Sequence, residues 1–462
     1  MPKWTNKGHE FDSLGRIFLK NREIALIGSE QACELIRKKL NFLEVPISIC
    51  PQDFSGKTAI LACNYEQNLD DFSRQHDLEK NVQLFREDEF FRWYLSIFAI
   101  YVTGKVYIED ICLICTTLCN LNCKYCLNFQ PYLRDQKHRS FAVLKKDVDI
   151  FFKHVDRIGL FHISGGEPFL YPHLADIFLY LYENYGNRIE CLSTTTNASH
   201  IPGDDLCSIL QKCNAKVFLD DYRECVSFLK KTFNSVREKL LGYGLEIHVT
   251  KDDATGFFKL FPPLQDDSRL SSEKLIEKFT ACRMPFAELK DGKLYNCNWS
   301  EFASNAGIVQ EYDDESYDLT THTSEKNKEL IEYRLGYSEK GYVEFCRYCN
   351  GNLPINNTKT PPGLQVKGKL DWNKSKPTEI FAEKSQKIFH DLCLEENETS
   401  LAYYQKMYAT TQAKLAETTQ ILHHVKYRVV ETEAELAAAR HTLSHPVIRF
   451  LRRLNAIRKG KK

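Results

Sequence analysis

The sequence predicts an α/β protein, because strand-like apolar runs alternate with helical stretches through two consecutive segments. The first segment covers residues 11–105 and the second covers residues 106–270. Parallel strands need such alternation, since each crossover between them requires a helix-length connection. The 462 residues exceed what one ordinary core holds, so we expect two or three domains.

The first segment indicates a small Rossmann-like α/β domain over residues 1–105, with buried parallel strands. A helical stretch follows the first strand and runs to about Phe42. The turn that begins at Gly28 lacks the G-x-G-x-x-G pattern, so we predict no dinucleotide site and expect a docking or substrate-presenting module. The strands are predicted at 23–28, 46–50, 57–63 and 81–85.

The second segment has five predicted strands, and three cysteines lie in the loop after the first of them. Cys119, Cys123 and Cys126 have C-x3-C-x2-C spacing, which can place three thiolates on three irons of a cubane cluster. The fourth iron would keep an open coordination position, as a catalytic zinc does. The alternatives are a zinc site with a further ligand and chance spacing among 17 cysteines. The strands are predicted near 107–114, 159–164, 189–195, 216–220 and 245–250.

Two further strand ends carry groups that suit a polar ligand. The run Gly165-Gly166-Glu167-Pro168 lets the backbone approach a ligand, and its carboxylate can pair with an ammonium group. A plain strand-to-helix turn is the alternative. The next strand ends in hydroxyls and an amide that suit ribose hydroxyls, although each is equally suited to an N-cap or a turn. These residues are Ser193, Thr196 and Asn197.

The three motifs, in this order and at this spacing, resemble the radical S-adenosylmethionine (SAM) superfamily. The cluster loop of that family has the same spacing with an aromatic residue before the last cysteine, here Tyr125. The resemblance implies a partial (β/α) barrel over residues 106–270, with its active face at the carboxyl ends of the strands. It also implies that SAM is cleaved reductively to a 5′-deoxyadenosyl radical.

The resemblance assigns cofactor roles to individual residues. Cys119, Cys123 and Cys126 would hold a 4Fe–4S cluster, and SAM would chelate its open iron. The Gly-Gly-Glu-Pro run would hold the methionine amino group, and the following strand end would contact the ribose. The residues expected to bind SAM are Tyr125, Gly165, Gly166, Glu167, Pro168, Ser193, Thr196 and Asn197.

A second group of four cysteines lies downstream. Cys282 and Cys297 flank a predicted hairpin, because Asp-Gly at 291–292 is a strong turn signal between short alternating strands. Cys346 and Cys349 form a C-x2-C pair. Four thiolates suffice for a closed 4Fe–4S cluster, and they equally suit tetrahedral zinc.

The C-x9-G-x4-C pattern of the first two of these cysteines resembles the auxiliary-cluster extensions called SPASM and twitch domains. A full SPASM domain continues with further cysteines after the C-x2-C pair. Here the next one, Cys393, lies in a different segment. We therefore predict a twitch-like domain with one auxiliary cluster over residues 271–350.

The remaining chain predicts a linker with a short helix over 351–394 and a coiled coil over 395–445. Three Thr at d positions weaken the coiled-coil seam, so a single amphipathic helix packed on the body is the alternative. The a positions of the heptads are Leu401, Tyr408, Leu415, Leu422, Val429, Leu436 and Leu443.

The last segment, 446–462, predicts a basic amphipathic tail suited to an anionic membrane surface. The alternatives are a nucleic-acid or partner-protein patch and a solvated tail. A coiled coil with such a tail weakly resembles the ends of some bacterial enzymes of surface-polysaccharide assembly. The apolar face of the tail holds Val447, Phe450, Leu451, Leu454 and Ile457.

Composition excludes several other classes. Lys plus Arg and Asp plus Glu both number 62, so the net charge gives no indication of nucleic-acid binding. The N-terminal residues lack the apolar region of a signal peptide, and the apolar stretch 93–102 is too short to span a membrane. Many cysteines without an export signal indicate a reducing cytoplasm, with peripheral contact to the inner membrane face as an extension.

The predicted function is hydrogen abstraction from a sugar or sugar-linked substrate, with oxidation or epimerisation as the outcome. The alternative function is that of a peptide- or protein-modifying maturase. A third, less favoured hypothesis is a non-catalytic coiled-coil scaffold with metal sites. The expected partners are a reductant such as flavodoxin or ferredoxin and, through the coiled coil, further copies of the chain. Hydrogen-donor candidates for epimerisation, by residue type alone, are Cys191, Cys207, Cys213 and Cys225.

Overall fold

The structure is a computed structural model of the chain. In the part that it describes, no helix is both long and apolar enough to cross a membrane. The chain divides into two compact units, Met1–Ala382 and Glu383–Lys462. The predicted coiled coil and basic tail fall in the second unit, which lies outside the described residues. The described residues are 11–63, 68–250, 257–263, 267–282, 286–336, 340–353 and 359–374.

The first segment forms a four-stranded sheet in the order β2-β1-β3-β4, with every pairing parallel. Its strands β1 and β3 are buried apolar runs, as predicted. A first helix that we did not predict precedes the sheet and buries Phe11, Leu14 and Phe18 on one face. The elements are α1 Phe11–Lys20, β1 Glu23–Ile27, α2 Glu30–Leu40, β2 Ile47–Ile49, β3 Lys57–Leu61, α3 Leu69–His76 and β4 Leu84–Arg86.

An aromatic-rich helical stretch follows this sheet over residues 87–103. Its α turns alternate with π turns, and Phe90, Tyr94 and Phe98 are buried in the core that α1 also enters. The stretch consists of α4 Glu87–Glu89, a π turn Phe90–Tyr94, α5 Leu95–Phe98 and a π turn Ala99–Thr103.

The second segment and three later strands, β11 (Glu288–Lys290), β12 (Lys293–Tyr295) and β13 (Ser316–Asp318), build an eight-stranded sheet. Its order is β13-β12-β11-β5-β6-β7-β8-β9. The strands from β5 to β9 are parallel neighbours, and helices connect them. All five predicted strands are present. The elements are β5 Tyr107–Thr116, α6 Phe141–His154, β6 Arg157–Gly165, α7 Leu174–Tyr185, β7 Ile189–Thr196, α8 Asp204–Lys212, β8 Lys216–Asp220, α9 Leu229–Gly242 and β9 Glu246–Thr250.

Alternate residues of these strands face opposite sides of the sheet. On β5, Ile111 and Leu113 join the main core with the helices, whereas Cys112 and Ile114 join a second cluster that contains Cys297. We call the side of the sheet that carries Cys112 the inner side. The carboxyl ends of the parallel strands lie at one edge, where residues of several strands can form a common site.

The extension continues the same sheet. β11 pairs in parallel with β5, and β12 pairs antiparallel with β11. The predicted hairpin turn is present, with both Asp291 and Gly292 at positive φ. The sheet itself therefore has no boundary between 106–270 and 271–350. The elements are β10 Phe257–Phe258, α10 Ser272–Ala281, β11 Glu288–Lys290, β12 Lys293–Tyr295, α11 Asn298–Asn305, β13 Ser316–Asp318, α12 Asn327–Arg334 and β14 Lys359–Thr360.

The segment predicted as a linker over 351–394 departs from that prediction in its described part. Residues 359–374, which we call the strap, begin with β14, and β14 pairs antiparallel with β10. The strap then crosses the loop that carries Cys119, Cys123 and Cys126, where the Val366 amide donates to the Asn122 carbonyl oxygen at 2.9 Å. The composition of Pro, Gly, Asn and Lys, from which we predicted a linker, could not reveal that this backbone is hydrogen-bonded to a loop far away in sequence.

Candidate cofactor site

The cluster loop, residues 117–126, follows the carboxyl end of β5. Its three cysteines share one site, because the charges of Cys126 and Cys123 both act on Cys119. Burial is the first cause that raises each thiol pKa, and the pKa of Cys123 reaches about 12. The thiols are therefore protonated at neutral pH, and iron must displace their protons. Three converging thiols with no fourth cysteine in the loop fit a cluster that leaves one iron open.

Nitrogen donors point at two of the three sulfur atoms. The Leu121 amide donates to Cys119 Sγ at 3.4 Å, and Asn197 Nδ2 approaches the same sulfur at 3.8 Å. On the other side of the loop, Gln365 Nε2 donates to Cys123 Sγ at 3.2 Å. Sequence reasoning missed Gln365, because it stands 242 residues from Cys123 and outside every recognised motif.

The glycines of the Gly-Gly-Glu-Pro run allow the backbone to approach the cluster loop itself. A Cβ atom on Gly165 would collide with the Thr116 carbonyl oxygen, and one on Gly166 would collide with that of Leu118. The Gly166 amide donates to Thr116 O at 2.8 Å, and the Glu167 amide donates to Leu118 O at the same distance. We expected close approach to a ligand, whereas these contacts join the two motifs to each other.

Glu167 is buried, with 1% of its surface exposed. Its carboxylate accepts hydrogen bonds from the Thr196 hydroxyl at 2.7 Å and from the amides of Asn197 at 2.7 Å and Phe169 at 3.0 Å. Burial raises its pKa to about 7, and the three hydrogen bonds oppose that rise. A cationic ligand group beside it would return the pKa towards the ordinary carboxyl value.

The predicted ribose residues do not lie together. Thr196 and Asn197 hold Glu167, and Asn197 Nδ2 also donates to Asn120 Oδ1 at 3.1 Å. Ser193 lies further from the strand end, hydrogen-bonded to His162 Nδ1 at 2.8 Å. The ribose role of these residues stays a prediction.

Tyr125, the aromatic residue predicted to bind SAM, lies within the cluster loop. The Lys259 ammonium is 5.0 Å from the centroid of its ring.

Two polar groups on the inner side of the sheet were missed by sequence reasoning. Asp220 ends β8 and accepts hydrogen bonds from Tyr222 at 3.0 Å and Thr195 at 3.4 Å. Desolvation raises its pKa to about 6, and its charge acts on Cys123, Cys126 and Glu167. Its position at the end of an apolar strand was the signal in the sequence that could have identified it.

His162 is the second of these groups. It is buried and stacks on Phe286, and desolvation lowers its pKa to about 4.

The second cysteine group is also brought together. Burial raises the pKa of Cys297 most, and the charges of Cys346, Cys282 and Cys349 raise it further, so the four thiols are neighbours. Cys297 precedes α11, and Cys282 follows α10. Among the described residues, no group of three or more His, Cys, Asp and Glu side chains is arranged to hold a single metal ion.

A buried ammonium group supports the C-x2-C pair. Lys278 Nζ donates to the carbonyl oxygens of Cys346 at 2.7 Å and Cys349 at 2.6 Å, and it forms an ion pair with Asp267. Burial raises the pKa of each of these thiols to about 12, and the Lys278 charge opposes the rise. The ammonium therefore favours the thiolate form that a metal requires.

The four cysteines named as hydrogen-donor candidates have different surroundings. Cys207 and Cys213 are buried in the main core. Cys225 packs beside the cluster loop in a small cluster with Leu121. Cys191 is partly exposed on β7, and its pKa is raised first by desolvation.

Three thiols beside a buried carboxylate at the strand edge form the arrangement predicted for an iron–sulfur cluster with SAM. Residues 113–220 match the profile of the Radical SAM superfamily. For that segment, the match confirms the family predicted from the motifs. Its cofactors are accordingly a 4Fe–4S cluster and SAM.

Several solved structures are similar to parts of this chain. Native anSMEcpe with bound AdoMet is 13% identical, with 56% of this chain and 93% of that chain covered and a TM-score of 0.34. BtrN in complex with AdoMet and 2-DOIA is 14% identical, covers 57% and 100%, and has a TM-score of 0.35. Streptococcus suis SuiB bound to S-adenosylmethionine is 16% identical, covers 34% and 38%, and has a TM-score of 0.27. The comparison with curated proteins gives no match.

Proposed function

We propose that this radical SAM enzyme abstracts hydrogen from an unactivated carbon of a sugar or sugar-linked substrate, leading to oxidation or epimerisation. The observation that carries the enzymatic reading is the direct joining of the cluster loop to the Gly-Gly-Glu-Pro run, with Glu167 held beneath both. A metal-binding scaffold would need no buried carboxylate at this point. When bound, the cluster and SAM together supply the radical chemistry.

The residues of the chain have separate tasks in this proposal. Cys119, Cys123 and Cys126 hold the cluster. Glu167 receives the methionine ammonium, and the donors from Thr196 and from the backbone keep the carboxylate aimed. Tyr125, Pro168 and Ser193 complete the predicted SAM contacts.

Oxidation of an alcohol carbon also releases a proton, and Asp220 is our candidate acceptor. Its carboxyl lies at the strand edge near the cluster cysteines, and its pKa of about 6 leaves it mostly ionised at neutral pH. Asp220→Asn should therefore retain hydrogen abstraction and lose formation of the oxidised product.

The second cysteine group favours oxidation over epimerisation. We propose that Cys282, Cys297, Cys346 and Cys349 hold an auxiliary 4Fe–4S cluster in a twitch-like domain over 271–350, which would accept the product electron. The Lys278 ammonium beside two of these cysteines supports thiolate ligation. Epimerisation would instead require a hydrogen donor, and Cys225 beside the cluster loop is then the candidate.

A peptide substrate is the second candidate. It is favoured by the four-stranded sheet in the N-terminal domain, because β2 is an edge strand with all three residues partly exposed. An extended peptide can pair with such an edge through its backbone. The hypothesis of a sugar substrate rests instead on the predicted coiled coil and on the predicted membrane-binding tail of a cytoplasmic enzyme.

Deuterium transfer distinguishes these substrates. The reduced enzyme is incubated with SAM and either perdeuterated sugar nucleotides and lipid-linked sugars or deuterated peptides. We expect deuterium to enter 5′-deoxyadenosine only with the sugar pool. Transfer from peptides alone would replace the sugar proposal by the maturase reading.

A further inference from the structure

The strap, residues 359–374, is fastened to the cluster loop by a set of hydrogen bonds. The Lys124 amide donates to the Leu364 carbonyl oxygen at 2.6 Å, and the Val366 amide donates to that of Asn122 at 2.9 Å. The Asn122 side chain donates in turn to the carbonyl oxygens of Val366 at 3.0 Å and Gly368 at 2.7 Å. The strap therefore binds the middle of the C-x3-C-x2-C loop on both sides of Cys123.

Gln365 occupies the centre of this contact. Its Oε1 accepts a hydrogen bond from the Asn122 amide at 2.7 Å, and its Nε2 donates to Gly363 O at 2.6 Å and to Cys123 Sγ at 3.2 Å. The acceptor bond fixes which end of the amide is oxygen, because the Asn122 amide can only donate. The nitrogen must therefore face the sulfur.

The strap is anchored independently at both ends of this contact. Gly363, at φ +73°, packs so closely against Tyr222 that a Cβ would collide with that ring. Beyond Gln365, the Leu370 amide donates to Pro131 O at 2.8 Å. Trp372 packs on Tyr348, with ring centroids 5.5 Å apart, next to the second cysteine group. Gln365 is thus held in place by its neighbours rather than by the sulfur alone.

We propose that Gln365 is a positioning residue for the SAM cluster, which it tunes through the hydrogen bond to the Cys123 thiolate. Donors to cluster sulfurs stabilise the more negative, reduced state, so this bond raises the reduction potential and eases the electron delivery that SAM cleavage requires. The inference rests on the proposed role of Cys123 as an iron ligand. It assigns a function to a segment that carries no cysteine.

The test compares Gln365→Leu, which removes the donor, with Leu364→Ala, which changes the exposed side chain beside it and leaves the backbone bond to Lys124. Both full-length proteins are reconstituted anaerobically, and the SAM-responsive cluster signal is titrated by electron paramagnetic resonance. At a fixed solution potential, we expect the ratio of reduced to oxidised cluster to fall about five-fold in Gln365→Leu and to stay unchanged in Leu364→Ala.

Gln365→Glu keeps the acceptor for the Asn122 amide and replaces the donor by a negative charge. Its cluster should be harder still to reduce, which provides the test if Gln365→Leu fails to hold iron. A wild-type titration curve in an iron-replete Gln365→Leu or Gln365→Glu protein would overturn the proposal. Such a result would leave SAM cleavage by the wild-type enzyme intact, whereas a wild-type protein that cleaves no SAM would contradict the proposed role of Cys123 itself.

Discussion

The three groups that donate hydrogen bonds to Glu167 are neutral, being one hydroxyl and two backbone amides. They offset only part of the cost of burying a carboxylate, and the pKa therefore stays raised at about 7. A ligand ammonium would supply the missing positive charge. The site is thus prepared for a cation, which is what an amino group of SAM presents.

SAM affinity should consequently depend on pH through Glu167. Below its pKa the carboxyl is protonated and cannot form an ion pair, so wild-type affinity should rise from about pH 6 to about pH 7.5, above which the ligand ammonium begins to lose its own proton. Glu167→Gln should bind SAM at least ten-fold more weakly at about pH 7.5, with a flatter pH profile. Equilibrium dialysis of the cluster-loaded proteins measures this, with Asp205→Asn on α8 as the surface control. Equal affinities and equal profiles would exclude the ammonium contact.

At the second cysteine group, Lys278 and Asp267 form a buried ion pair within the protein. Their side chains are 3% and 7% exposed. Lys278→Met would leave a buried carboxylate without its cation and should destabilise the protein by about 3–5 kcal/mol. Lys278→Met combined with Asp267→Leu should recover much of that loss. Denaturant unfolding of the iron-loaded proteins provides the measurement. An unchanged midpoint in the single variant would contradict the structural role of the pair.

At the scale of elements, the hairpin β11–β12 and the parallel strands β5 to β9 could be predicted because their signals are local. An Asp-Gly pair specifies the positive φ angles of its turn, and a short apolar run specifies a buried strand. The parallel pairing of β11 with β5 joins residues more than 170 positions apart. No local pattern encodes that contact.

The candidate site divides in the same way. Cys119, Cys123, Cys126 and Glu167 belong to short motifs whose spacing is readable in the sequence. Asp220 and Gln365 carry no such signature, because only the folded sheet and the strap bring them to the loop. Composition alone made the strap resemble a linker.

If the second cysteine group holds an auxiliary cluster, the iron content of the protein should be that of two clusters. Two cubane clusters hold about eight irons per chain after anaerobic reconstitution. Replacing Cys119, Cys123 and Cys126 by Ala should remove about half, and replacing Cys297 and Cys349 should remove the other half. Metal analysis by mass spectrometry decides this. About four irons with stoichiometric zinc would identify the second site as structural zinc.

At the scale of the whole molecule, the sequence indicates a further function in the second compact unit, outside the described residues. The predicted amphipathic tail over 446–462 would add hydrophobic attraction to membranes through its apolar face, and its basic residues would add about 1 kcal/mol each near anionic lipid. Self-association through the predicted heptads over 395–445 would multiply this weak binding.

The full chain should therefore float with anionic liposomes, more weakly as salt increases, and should not float with neutral liposomes. A chain ending at His445 should remain in solution with both. Liposome flotation at low and high salt measures the difference. Equal flotation of the two chains would remove the membrane role and weaken the case for a lipid-linked sugar substrate.

We propose above all that Cys119, Cys123 and Cys126 hold a cluster that reduces SAM. The direct measurement is incubation of dithionite-reduced, iron-loaded protein with SAM, followed by chromatography of the products. The wild-type protein should form 5′-deoxyadenosine and methionine in equal amounts, slowly even without substrate, and the variant with all three cysteines replaced by Ala should form neither. Undiminished cleavage by that variant would contradict this role of the three cysteines.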